Sequence, residues 1–142
     1  MIDHVSITVS DLARAAPFYR AVFEALGHPL VREEADRLGF GTRNRSGDDG
    51  HSYLSVFESP DAIVADRRHW CFRSPDRQAV ERFHAAGLAS GGRDDGAPGP
   101  RPHYHPHYYA AFLCDPDGNR IEAVCHRDPA SDPERTKEVP IR

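Results

Sequence analysis

The second half of the chain repeats residues of the first half at an offset of 65 positions, and this repeat limits the possible folds more than any other feature. Five pairs coincide without a gap, and the two residues of each pair share one structural role in a strand, a helix cap, a helix core or a helix end. The pairs are His4 with His69, Asp11 with Asp76, Phe18 with Phe83, Ala21 with Ala86, and Gly27 with Gly92. Repeats whose roles match in this way indicate duplicated structural units. The sequence therefore predicts two copies of a module built from a strand, a helix and further strands.

The first module spans about residues 1–60 and begins with a strand at residues 2–9, in which apolar and polar side chains alternate. A Ser-Asp cap and an apolar stripe predict a helix over about residues 11–26. Pro17 removes one intrahelical hydrogen bond, so a helix that starts later is the alternative. Three short strands are then expected, at residues 29–33, 38–42 and 53–58.

The second module follows a connector at residues 60–68 and spans about residues 68–126. An alternating strand at residues 69–73 leads into a Ser-Pro-Asp helix start, which is typical of a first helical turn. The stretch at residues 93–101 is rich in Gly, Pro and Asp and predicts a loop. Two strands complete this module, one at about residues 108–114 and one after a tight turn.

We expect a single domain over residues 1–126, and a loosely ordered tail at residues 127–142, where no apolar period is present. A net charge of −4 gives no reason to expect nucleic acid or an anionic membrane as a partner. No apolar run approaches the length of a membrane span. Three cysteines without a CxxC spacing argue against a disulfide scaffold. With no signal-peptide pattern, these features predict a cytoplasmic protein.

Glu122 follows a tight turn at residues 115–119, which read Asp-Pro-Asp-Gly-Asn. Proline presets its own φ angle and glycine accepts a positive φ, so both favour a turn. Ile121 and Ala123 are apolar, and the alternation of a strand places Glu122 on the opposite face. The sequence therefore predicts a strand that presents a carboxylate just after a rigid turn.

His4 and His69 hold the same place in the two modules, on the strand face opposite the apolar residues, and Glu122 shares this orientation. If each sheet packs its helix on one face, the two imidazoles and the carboxylate project from the other face. This set suits one divalent first-row metal ion, Fe, Mn, Ni, Co or Zn, with positions open for substrate or water. A purely structural zinc site is disfavoured, because four protein ligands usually close such a site.

The segments that contain His4, His69 and Glu122 resemble the vicinal oxygen chelate superfamily, which includes glyoxalase I, extradiol dioxygenases, fosfomycin-resistance thiol transferases and bleomycin-binding proteins. The resemblance rests on Ile-Asp-His-Val-Ser-Ile-Thr-Val-Ser-Asp, on the His that begins the second repeat, and on Asp-Pro-Asp-Gly-Asn-Arg-Ile-Glu. It implies an α+β fold of two paired βαβββ modules, which form a curved mixed sheet around a metal-binding cup (the glyoxalase/dihydroxybiphenyl dioxygenase-like fold). It further implies that these three residues bind the metal, that the substrate chelates it through adjacent oxygens, and that the protein is a homodimer.

The resemblance leaves the subfamily open, because glyoxalase I takes a fourth metal ligand from the last strand of its first module. The offset of 65 places Phe57 opposite Glu122, so Glu58 would serve only after a slip of one residue. Extradiol dioxygenases carry a His and then a Tyr before the turn and its Glu. His103 or His105 would supply that His, but the Tyr position holds Phe112. The stretch from Gly96 to Phe112 is most similar to small bacterial glyoxalase-related proteins.

The segment at residues 102–107 contains three alternating histidines, His103, His105 and His107. In a straight strand they would share one face and offer a second metal site. The two prolines of the segment favour instead a loop that closes over the cup. Because histidine titrates near neutral pH, we take His105, together with Tyr109, as the candidate catalytic residues.

Arg73 and Arg120 share the strand face of His69 and Glu122. With His103 they are the candidates for contact with an anionic substrate, and surface salt bridges are the alternative role of the two arginines. The whole pattern favours a metal-dependent lyase, isomerase or oxygenase of the glyoxalase/dioxygenase type, acting on a small oxygen-chelating substrate. The alternative is a non-catalytic small-molecule binding or antibiotic-resistance protein of the bleomycin-binding type, although such superfamily members generally lack the triad.

Overall fold

A computed structural model of the chain describes residues 2–131. In this part the elements follow the order βαβββ–βαβββ, which confirms the predicted pair of modules. The elements are β1 (His4–Val9), α1 (Leu12–Ala25), β2 (Leu30–Glu34), β3 (Arg37–Gly41), β4 (Tyr53–Glu58), β5 (His69–Arg73), α2 (Arg77–Ala89), β6 (Arg93–Pro100), β7 (Tyr109–Cys114) and β8 (Arg120–Cys125), followed by a short 3-10 turn at Pro129–Ser131. Most of the predicted tail, residues 132–142, lies outside the described residues.

The strands form two four-stranded mixed sheets, in the orders β1-β4-β3-β2 and β5-β8-β7-β6. In each sheet the first strand of the module runs parallel to the last, and the other neighbours are antiparallel. The α+β class and the mixed pairing are thus as predicted. Each module keeps its own sheet, and β1 and β5 are both edge strands.

Both helices begin at the predicted aspartate caps, because a carboxylate satisfies free N–H groups at a helix start. The Asp11 carboxylate accepts from the amide of Arg14 at 2.9 Å, and that of Asp76 accepts from Ala79 at 2.6 Å. Helix α1 continues through Pro17, so the alternative of a later start is wrong. Neither helix in residues 2–131 has the length and apolarity needed to cross a membrane.

The stretch at residues 93–101 was predicted as a loop, but most of it is strand β6. Its register with β7 shifts twice, between Asp94 and Gly96 and again between Gly96 and Gly99. As the last strand of its sheet, β6 leaves one side unpaired, and an edge strand tolerates bulges, prolines and glycines that a central strand does not. The turn-forming composition therefore concealed an edge strand.

The two modules share one hydrophobic core, because α1 packs directly on α2. Phe18, which is fully buried, lies against Gly87 and Gly92. A Cβ atom at Gly92 would lie 2.5 Å from a ring carbon of Phe18 and 2.8 Å from the backbone oxygen of Gly87. Glycine at this position, just after the end of α2, therefore leaves room for the Phe18 ring of α1.

We predict that Gly92→Ala lowers the free energy of unfolding by about 1–3 kcal/mol, because the added methyl group overlaps a buried ring and a backbone oxygen. Gly50→Ala is the matched control, since a Cβ there meets no atom within 4 Å. The control should be neutral or slightly stabilising through the unfolded chain. Urea unfolding of both variants measures the difference, and equal stabilities would contradict this account of the helix contact.

Candidate functional site

The turn at residues 115–119 is held by the buried carboxylate of Asp115, which is 2% exposed. This carboxylate accepts hydrogen bonds from the hydroxyl of Tyr19 at 2.6 Å and from the amide of Asp117 at 2.9 Å. It also accepts from the backbone amide of Asn119 at 2.7 Å and from the side-chain amide of Asn119 at 2.9 Å. A buried carboxylate with this many donors fixes the turn from which β8 starts.

The same turn is bonded to the first module. Asp117 accepts from the backbone amide of Ser10 at 2.7 Å and from its hydroxyl at 2.6 Å, and it pairs with Arg14. The side chain of Asn119 donates to the backbone oxygen of Thr8 at 3.2 Å. The start of β8 therefore lies beside the end of β1, and the strand that carries Glu122 is oriented by both modules.

Glu122 and His69 lie side by side on the face of the second sheet that is turned away from the helices. Their strands are parallel neighbours, and the His69 Nε2 atom is 3.3 Å from the Glu122 Oε2 atom. Glu122 is 3% exposed, whereas His69 opens to solvent. Two ligands that meet one ion at a right angle, each at about 2.1 Å, are about 3 Å apart. The donor types and their spacing therefore fit two positions of a site for a divalent metal ion.

The second carboxylate oxygen of Glu122 accepts a hydrogen bond from Tyr108, which was not among the predicted site residues. The hydroxyl of Tyr108 donates to Glu122 Oε1 at 2.6 Å. Burial, and then this hydrogen bond, raise the pKa of the Tyr108 phenol, so it stays protonated and remains the donor. Cys71 is the strand partner of Glu122. Loss of solvation, followed by the Glu122 charge, raises the pKa of the Cys71 thiol to about 12.

His4 lies on the outward face of β1, and its ring is oriented by the preceding residue. The Nδ1 atom donates to the Asp3 carboxylate at 2.7 Å, which leaves Nε2 available as a ligand atom. This bond, with a second from Asn44 at 2.5 Å, lowers the pKa of the Asp3 carboxyl. Among residues 2–131, no three His, Cys, Asp or Glu side chains stand close enough to hold a metal ion. The structure thus brings together two of the three predicted ligands and leaves His4 apart.

A cavity of about 550 Å³ opens between the edge strands β1 and β5. Its inner wall is aromatic and its outer residues are polar. The wall includes Phe23, Phe40, Trp70 and Phe72, and His4, Cys71 and Arg73 also line the cavity. His4 and Cys71 both line this cavity, whereas His69 and Glu122 are not among its lining residues.

The register of β4 corrects the expected position of a fourth ligand. Ser55 pairs with Ser6 in the first module as Glu122 pairs with Cys71 in the second, so Ser55 is the structural equivalent of Glu122. The offset of 65 had indicated Phe57, two residues further along. Glu58 is engaged elsewhere, because its Oε2 atom accepts from the Leu12 amide at 2.7 Å at the start of α1. The first module thus has a serine where the second has its carboxylate.

The histidines of residues 102–107 lie in a loop, as their prolines indicated. The His105 Nδ1 atom accepts from the His107 amide at 3.2 Å, and its Nε2 atom is 2.9 Å from His126 Nδ1. Both nitrogens of His105 are therefore engaged within the protein. The ring of His103 contacts that of Tyr104 in a tilted arrangement, with 4.3 Å between the ring centroids and 43° between the ring planes.

The remaining predicted site residues differ in their surroundings. The Tyr109 hydroxyl donates to Glu81 of α2 at 2.9 Å, on the helix side of the sheet. Arg120 pairs with Asp95 at 3.3 Å, as the salt-bridge alternative anticipated. The guanidinium group of Arg73 has no hydrogen bond or ion pair with another described residue. Of the two arginines, Arg73 lines the cavity, and its guanidinium pairs with no residue of the range 2–131.

Tyr108 is the site residue that sequence reasoning missed. Strand alternation offered a signal, since Tyr108 shares its parity with Phe112, the strand partner of Glu122, whereas Tyr109 shares the parity of the core residue Leu113. Apolar side chains occupy both faces of β7, so the pattern alone did not separate the two tyrosines. Asp3 carries no comparable sequence signal, because an Asp beside a His is common on a polar surface.

Comparisons of the sequence and of the structure with known proteins both indicate the glyoxalase/bleomycin resistance family. A sequence model described as the Glyoxalase/Bleomycin resistance protein/Dioxygenase superfamily matches residues 1–123. A glyoxalase/bleomycin resistance protein from Albidiferax ferrireducens T118 is 27% identical, with a TM-score of 0.75, over 87% of this chain and 98% of that one. A glyoxalase/bleomycin resistance protein/dioxygenase family enzyme from Burkholderia phytofirmans PsJN is 19% identical, with a TM-score of 0.62, over 86% and 95%. A glyoxalase I mutant from Zea mays is 21% identical, with a TM-score of 0.56, over 86% and 45%. No curated protein sequence matches the chain.

We predict that Cys71 in the metal-free protein reacts with iodoacetamide at pH 7.5 at least about 100-fold more slowly than an ordinary thiol, because a pKa of about 12 leaves almost no thiolate. Glu122→Gln should raise the rate, since it removes a negative charge beside the sulfur. Mass spectrometry identifies the modified residue, and Cys71→Ala provides the blank. A rate that levels off below pH 9 would contradict the environment described for this thiol.

Proposed function

We propose that this chain, which belongs to the Glyoxalase/Bleomycin resistance protein/Dioxygenase superfamily, is a divalent-metal-dependent enzyme that acts on a small oxygen-chelating substrate. The observation that carries the proposal is the adjacent pair of His69 Nε2 and Glu122 Oε2, 3.3 Å apart on the outward face of the second sheet. A buried carboxylate beside an imidazole that opens to solvent is a typical half of a catalytic metal site.

His4 is the third proposed ligand. Its Nε2 atom is free because Nδ1 is bonded to Asp3, and a carboxylate on the other ring nitrogen is the usual support of a metal-binding histidine. It lines the same cavity as Cys71, which neighbours Glu122 across the strands. We infer that His4 joins His69 and Glu122 when the ion binds.

A metal ion with three protein ligands has more coordination positions open to substrate than an ion with four. Because Ser55 occupies the position equivalent to Glu122, the first module offers only the His4 imidazole to the ion. This supports a substrate that binds through two neighbouring oxygens, and it disfavours a four-ligand site of the glyoxalase I kind. When bound, the ion would act as a Lewis acid on a carbonyl or enediolate oxygen.

The chain's own residues indicate the class of substrate. The aromatic wall of the cavity suits an apolar body, and the guanidinium of Arg73, which has no ion pair among residues 2–131, suits an anionic group. In the metal-free protein, burial and the Glu122 charge keep the Cys71 thiol protonated at neutral pH, because they raise its pKa. His105 and Tyr109 are not retained as direct acids or bases, since the ring nitrogens of His105 are engaged and Tyr109 contacts α2.

The expected homodimer and cytoplasmic location remain part of this proposal. Two unpaired edge strands, β1 and β5, each begin with a histidine of the proposed triad, so a second copy has a surface on which to pair. A protein that only sequesters its ligand in the cavity is the alternative.

We predict that untagged protein binds about one Co²⁺ or Fe²⁺ ion per chain. Glu122→Ala or His69→Ala should weaken the affinity at least about 100-fold, because each removes a ligand. His4→Ala should do the same, and circular dichroism checks that each variant is folded. His84→Ala is the matched control, since His84 pairs with Asp94 away from the cavity. Elemental analysis and titration measure the outcome, and a folded wild type that binds no metal would favour the sequestering alternative.

We further predict that Ser55→Glu tightens metal binding at least about 10-fold. The new carboxylate would occupy the position in the first sheet that Glu122 holds in the second. Phe57→Glu, the substitution that the offset of 65 would select, should have no such effect. Titration of both variants with Co²⁺ distinguishes the two registers. Tighter binding in the Phe57 variant alone would contradict the assignment of Ser55.

A further inference from the structure

Tyr108 and Tyr109 are adjacent, and their hydroxyl groups lie on opposite sides of the second sheet. The Tyr108 hydroxyl donates to Glu122 Oε1 at 2.6 Å, and the Tyr109 hydroxyl donates to Glu81 at 2.9 Å. The two residues are therefore a natural matched pair, because only one of them touches the proposed metal ligand.

The two oxygens of Glu122 have different surroundings. Oε2 lies 3.3 Å from His69 Nε2, toward the proposed ion, and Oε1 is bound to the phenol of Tyr108. A carboxylate with one oxygen held by a strong donor keeps a fixed orientation. Glu122 is also buried, so an unpaired Oε1 atom would be costly.

Tyr108 is itself held from several sides. Its ring lies edge-on to His105 and His126, with centroid distances of 5.4 Å and 5.1 Å, and Tyr104 lies at 4.7 Å. Because His105 Nδ1 accepts from the His107 amide, Nε2 of the neutral ring carries the proton and donates to His126 Nδ1 at 2.9 Å. This imidazole pair connects the 102–107 loop to the end of β8.

We propose that Tyr108 is a positioning residue that holds Glu122 in a single orientation, with only Oε2 presented to the metal. The inference rests on the proposed function, and it gives the His-rich loop a role that the triad does not account for. A carboxylate that binds through one oxygen leaves a further coordination position to the substrate.

The first test uses metal-free protein and needs no metal site. In a double-mutant cycle, Tyr108→Phe should raise the unfolding equilibrium constant about 10-fold in the wild-type background. In the Glu122→Met background the same change should have an effect of less than about 2-fold, because the acceptor is gone. Equal effects in both backgrounds would overturn the proposal, since Tyr108 would then not act on Glu122.

The second test uses Co²⁺, whose absorption spectrum reports its coordination. Tyr108→Phe should weaken Co²⁺ binding about 10-fold and change the visible spectrum, as loss of an outer partner of a metal ligand does. Tyr109→Phe should leave both unchanged. An unaltered affinity and spectrum in the Tyr108 variant would overturn the proposal and reduce the phenol to a packing role. If the wild type binds no Co²⁺, the proposed function fails, and the double-mutant cycle still decides whether Tyr108 positions Glu122.

Discussion

The Asp115 carboxylate is buried where the two modules meet, and it accepts four hydrogen bonds from Tyr19, Asp117 and Asn119. Burial, together with the Asp115 charge, holds the pKa of Tyr19 well above its usual value, so this phenol remains a donor. Loss of the carboxylate would leave buried donors unpaired, at about 1–3 kcal/mol for each. The interaction connects helix α1 of one module to the turn before β8 of the other. The position of Glu122 relative to β1 therefore depends on it.

The duplication produces two similar sheets but an unequal site. The second module supplies the His69 imidazole, the buried Glu122 carboxylate and the Tyr108 phenol. The first module supplies His4, which is bonded to Asp3, and it has Ser55 at the position equivalent to Glu122. This asymmetry is the chemical basis of the proposal, since a second carboxylate at Ser55 would occupy a position that the substrate needs. The cavity between β1 and β5 is lined by residues of both modules, with the aromatic side chains of Phe23, Phe40, Trp70 and Phe72 in its wall.

Much of the fold was predictable because the repeat and the strand alternation are local patterns. The βαβββ order of the first module, the Asp11 and Asp76 caps and the position of Glu122 after its turn follow from them. Strand β6 was not predictable, since its Gly and Pro residues indicate a loop and only its edge position permits a strand. Ser55 was missed because the second module is longer by two residues before its last strand, which a gapless offset cannot represent. The choice between Tyr108 and Tyr109 depends on contacts between distant segments.

The most direct measurement is anomalous diffraction from crystals of the untagged protein grown with Co²⁺. The account predicts one strong peak per chain, bound by the imidazoles of His4 and His69 and by a single oxygen of Glu122, whose other oxygen stays on Tyr108. A peak at the His105–His126 pair instead, or a cobalt-loaded crystal in which Glu122 and His69 contact no metal, would contradict it.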